Sequence, residues 1–164
     1  QISTIKKISY NLPHGYKLLV REHFGNVVRR PSSWLKEVLS YPGVVLIGPF
    51  SNQFKYIKNS NLVITVNGST GFESILLGKR TIALDKTNYD PLLDASCYRD
   101  KIPLSEAIIR ALTSEKNVNR KAIASFVDLE KKICFKNSGS SSQFEVDFVL
   151  KLLKNLRANR PEEI

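Results

Sequence analysis

Apolar residues recur at Ile2, Ile5, Ile8 and Leu12, close to the helical period, and predict a helix over 2–11 ended by Pro13 and Gly15. The run YKLLVR predicts a short strand at 16–21, and a loop with one glycine and two arginines follows to Pro31. Ser32 or Ser33 is expected to cap a helix over 34–41, closed by Pro42-Gly43. Val44, Val45, Leu46 and Ile47 form a continuous apolar run of strand type. A turn at Pro49-Phe50-Ser51 leads into a short helix through 58, with Ser51 as the expected cap. The pattern then predicts a strand at 61–66, a helix at 70–77, a strand at 80–84 and an irregular stretch at 85–101.

Short apolar strands alternating with helices predict an α/β fold: a Rossmann-like doubly wound parallel sheet, covered on both faces. The carboxyl ends of such strands carry the ligand site. The loops at 21–30, 48–51, 67–71 and 85–89 all fall there. Beyond 101 the periodicity is helical only, with expected helices at 104–112, 118–135 and 144–156 and a Gly/Ser linker at 137–142. The expected organisation is one domain, with a core at 1–101, a helical region at 102–157 and a frayed tail at 158–164.

The most informative segment is Gly68-Ser69-Thr70-Gly71-Phe72-Glu73-Ser74, between a β-branched run and an apolar helix that stops at Gly78. Unpaired N–H groups and the positive end of the dipole make a helix start a phosphate site. Gly68 and Gly71 are expected to let a phosphate approach the backbone, and Ser69 and Thr70 to add hydroxyl donors. On this reading a larger residue at 71 blocks the ligand and leaves the fold intact. Glu73, expected on the first helical turn, can accept from a sugar hydroxyl. The plain alternative is a strand-to-helix turn with Ser69 or Thr70 as cap and Glu73 favouring the dipole.

Charge sharpens the picture. The net charge is +10, and residues 1–80 hold 11 Lys and Arg against 3 Asp and Glu. The excess sits in the half with the glycine loop and favours an anionic partner. No Asp-x-Asp motif or His/Cys cluster is present, so neither a metal nor another cofactor is expected. Cys97 and Cys134 have no metal spacing and read as structural thiols of a reducing compartment. No apolar run reaches the length of a membrane span, and the expected location is cytoplasmic, with room for peripheral association at the inner membrane face. The chain begins at Gln1 and contains no methionine, which suggests a processed or excised piece.

The order of motifs is similar to a known family. Val20-Arg21-Glu22-His23-Phe24, the pair Arg29-Arg30, the strand from Gly43 to Phe50, the Gly68 to Ser74 stretch and Leu76-Leu77-Gly78-Lys79 stand in order over roughly residues 5–90. They resemble the C-terminal nucleotide-sugar domain of GT-B glycosyltransferases, most closely the bacterial capsular or surface polysaccharide biosynthesis family. Phe24 stands where that family has a proline, and Arg21 where it has a lysine.

The resemblance implies a hexosyl-, sialyl- or Kdo-type transferase with a nucleotide sugar as substrate. It also implies a missing N-terminal domain for the saccharide acceptor, and hence no transfer by this piece alone. His23 and Glu73 are the candidate catalytic residues. Arg21, Arg30, Pro49, Phe50, Ser51, Gly68, Ser69, Thr70 and Gly71 are the candidate nucleotide and phosphate ligands, with the base near residues 48–51. His14 reads as a turn residue. The competing readings are a sugar-nucleotide epimerase and a non-enzymatic basic module for nucleic acid or acidic lipid. Nucleic acid is not the expected partner, because the aromatics sit in apolar or turn positions rather than among exposed basic residues.

Overall fold

The computed structural model describes residues 1–22, 30–93, 102–114 and 120–137. His23, Arg29 and Cys97 lie outside these residues, as do the expected helix at 144–156 and the tail. The chain is mixed α/β. The elements run α1 (Ile2–Tyr10), β1 (Leu18–Arg21), α2 (Ser32–Ser40), β2 (Val44–Ile47), α3 (Gln53–Asn59), β3 (Leu62–Thr65), α4 (Ser69–Leu76), β4 (Arg80–Ala83), α5 (Leu104–Thr113) and α6 (Arg120–Asn137). Among the described residues after β4 is a 3-10 turn at Asp90–Leu92.

Both strand pairs are parallel. β1 lies against β2 with Arg21 beside Ile47, and β3 against β4 with Thr65 beside Ala83. Among the described residues the two pairs exchange no ladder bonds and stand as two two-stranded units. A cavity of about 780 Å³ runs along β1 and β3, bounded by Ile5, Trp34, Tyr56 and Ile64 among others.

Strand alternation assigns the faces of the second pair. Leu62, Ile64 and Ile82 pack with Ile8 of α1 and with Leu104, Ala107, Ile108 and Ala111 of α5. Thr81 points the other way, where its hydroxyl lies 2.5 Å from that of Ser74 on α4. From α4, Ile75 and Leu76 join Tyr89 and the α6 residues Ile123 and Val127 in a second core. The first pair is less covered than expected. Leu19 and Val45, partners in register, are 44% and 40% exposed. Exposure alternates along β1, while in β2 it ends at the buried Ile47, on the same face as Val45.

Three expected caps differ. Pro31, not Ser32 or Ser33, precedes α2, and no side chain caps it. Asn52, not Ser51, caps α3, its Oδ1 accepting from the Phe54 amide at 3.1 Å. Gly68, not Ser69 or Thr70, precedes α4. Ser32 and Ser33 are therefore already helical. Ser51 is spent on the preceding turn, where its hydroxyl donates to the Gly48 carbonyl. The end of α4 is as expected. Gly78 has φ +69°, its amide donates to Ile75 O at 2.9 Å, and the Lys79 amide donates to Ser74 O at 2.8 Å, a Schellman closure.

Candidate functional site

Arg21 ends β1, on the strand face of Leu19, and turns its guanidinium toward the segment after β2. Nη2 donates to the Pro49 carbonyl at 2.6 Å, and Nη1 to Gln53 Oε1 at 3.0 Å. Gln53 is the first residue of α3, and its Nε2 donates to Glu73 Oε2 at 2.6 Å. Ser69 Oγ approaches Glu73 Oε1 at 3.5 Å, one helical turn back. Three segments far apart in sequence thus meet at one rim, beyond the carboxyl ends of β1, β2 and β3. Burial lifts the Glu73 carboxyl above its ordinary value, while the Ser69 hydroxyl and the Arg21 charge pull it back.

Glu73 occupies the second turn of α4, not the first, because the helix starts at Ser69. It therefore faces Gln53 rather than the orphan amides. Ser69 and Thr70 are the first two helical residues, so their N–H groups have no intrahelical acceptor. The Gly68 amide donates to Thr65 Oγ1 at 3.2 Å, and the Gly71 amide to Gly68 O at 3.1 Å. Gly68 has extended φ and ψ of −79° and 163°, which any residue adopts.

Gly71 has a different reason from the expected one. A Cβ there would lie 2.2 Å from the Tyr89 hydroxyl oxygen and 2.8 Å from Thr65 Cγ2. Tyr89 is only 2% exposed. Its hydroxyl donates to Gly68 O at 2.7 Å, and its ring stacks on Phe72, centroids 6.0 Å apart. The missing side chain at 71 makes room for Tyr89. The expectation that a larger residue at 71 spares the fold is therefore corrected.

The remaining candidates divide. Pro49 joins the array through its carbonyl. Phe50 is 84% exposed on the neighbouring turn. Arg30 lies apart from the array. Its Nε donates to Glu22 Oε2 at 2.9 Å, its guanidinium sits 4.6 Å over the Trp34 ring, and Nη2 donates to Gln1 Oε1. Those partners tie the start of α1 to α2. His14 is exposed on the turn before β1.

Sequence reasoning missed Gln53 and the role of Tyr89. Recognising Asn52 as the α3 cap would have placed Gln53 at the first helical position, facing the strand ends. Arg21, Gln53, Thr65 and Thr70 also border the cavity between β1 and β3, so the array stands at its rim. Among the described residues no three His, Cys, Asp or Glu side chains come together, and no helix is long and apolar enough to cross a membrane. No family model, curated protein or solved structure matches the chain.

Proposed function

We propose that this chain is the donor-binding part of a GT-B-type glycosyltransferase for capsular or surface polysaccharide, built on a doubly wound parallel sheet and acting on a nucleotide sugar at the cytoplasmic side. The observation that carries the reading is the Arg21–Gln53–Glu73 array, which gathers a cation, a carboxylate and the start of α4 at one rim of parallel strands. Two parallel pairs with helical crossovers support the sheet.

On this reading the Ser69 and Thr70 amides and the Arg21 guanidinium hold the donor phosphates. Donors fixed before the reaction stabilise the charge that builds on the departing phosphate. Glu73 accepts from a donor hydroxyl. The exposed ring of Phe50 offers a stacking surface for the base. His23 adds a donor to the phosphates if it follows the family pattern. The acceptor, and the base that activates it, belong to another domain.

Calorimetric titration with UDP and CMP, beside single-stranded DNA, tests this reading. It expects saturable nucleotide binding and only weak, salt-sensitive DNA binding. Tight DNA binding with no nucleotide binding would overturn it in favour of a basic nucleic-acid module.

A further inference from the structure

We propose that Gln53 is a positioning residue, a neutral spacer that holds Arg21 ready for a phosphate while keeping it out of a direct ion pair with Glu73. The inference rests on the reading of this rim as a nucleotide-sugar site. A guanidinium only donates, so Arg21 can meet only the amide oxygen of Gln53. The amide nitrogen also only donates, so it must face an acceptor, and it faces Glu73 Oε2. Both ends of the amide are committed, and its orientation is fixed. The Asn52 cap anchors the backbone of Gln53 at the start of α3.

The spacer has a chemical consequence. An Arg21–Glu73 pair in direct contact would satisfy both charges, and a phosphate would have to break it. With the amide between them, Arg21 spends two N–H groups on neutral oxygens, those of Pro49 and Gln53. Its charge is not cancelled by contact, and its remaining N–H groups stay on an exposed side chain at the cavity rim. Glu73 keeps its place to accept from a hydroxyl. The spacing thus suits a ligand that carries a phosphate and a hydroxyl together, as a nucleotide sugar does.

The test uses the full chain and UDP as probe, by calorimetry with thermal melts in parallel. Gln53→Leu keeps the bulk and removes both polar ends. The expected result is about tenfold weaker UDP binding. Gln53→Glu keeps the acceptor for Arg21 but sets two carboxylates against each other, so the pair takes up a proton more readily. Its charged neighbours among the described array are Arg21 from β1 and Glu73 from α4. The deficit of Gln53→Glu relative to the unmodified chain should therefore be large at pH 8 and shrink by pH 5.5. A filler role predicts lowered melting with no pH-dependent deficit. Normal UDP affinity in both variants would overturn the spacer and leave the nucleotide site standing. Binding of neither UDP nor CMP by the unmodified chain would overturn both.

Discussion

Tyr89 fills the space that a side chain at Gly71 would need. Its hydroxyl oxygen lies 2.2 Å from where a Cβ would stand, and it donates to the carbonyl of Gly68 three residues earlier. One buried ring thereby fixes both the approach of α4 to β3 and the start of the helix. Gly71→Ala should cost about 1–3 kcal/mol, the usual range for overpacking. Adding Tyr89→Phe to it should recover part of the loss by removing the nearest atom. Urea denaturation of the two single variants and the double variant measures the coupling. A Gly71→Ala variant as stable as the parent would refute the packing.

The loop glycines should then separate by mechanism. Gly68 has ordinary angles, and a Cβ there would meet only Thr65 Oγ1 at 3.5 Å, so Gly68→Ala should change stability by less than about 0.5 kcal/mol. Gly78 sits at φ +69°, and Gly78→Ala should cost roughly 1 kcal/mol. Equal melting of the two variants would contradict the assignment.

Much of the fold was legible in the pattern of residues. Ile2, Ile5 and Ile8 announced α1, and the apolar run at Val44 to Ile47 matched β2 residue for residue. Caps were less legible, because Ser32, Ser33, Ser51 and Asn52 are all good cap residues near a helix start, and local chemistry ranks them almost equally. The glycine loop was visible, yet the reason for Gly71 was not. It depends on Tyr89, eighteen residues on, and no spacing rule links the two. Gln53 was missed for the same reason: its partners come from β1 and α4.

Glu73 makes a pH prediction. Burial raises its folded pKa above the unfolded value, so the folded chain binds the proton more readily. Stability attributable to this group is greatest below the ordinary carboxylate range and falls as pH rises from the unfolded value through the raised folded one. Glu73→Gln keeps an acceptor for Gln53 and removes the buried charge. It should be at least as stable as the parent at pH 7.5, with the difference closing in acid. Chemical denaturation across pH reads this directly, and a variant clearly weaker at pH 7.5 would contradict it.

Arg30 and Arg21 should behave oppositely. Arg30 is paired with Glu22 and stacked on Trp34. Arg30→Gln should lose about 1 kcal/mol of stability and leave UDP affinity unchanged. Arg21→Gln should do the reverse, weakening UDP binding about tenfold or more with little effect on melting. Loss of UDP binding in Arg30→Gln, at unchanged stability, would move the phosphate to the other arginine.

In the proposed site a nucleotide phosphate lies between Arg21 and the start of α4. Backbone amide resonances followed by NMR during a UDP titration test it most directly. The largest saturable shifts should fall on the Ser69 and Thr70 amides, together with the Arg21 side-chain Nε signal. Saturable shifts confined to other parts of the chain, with Ser69, Thr70 and Arg21 unmoved, would contradict it.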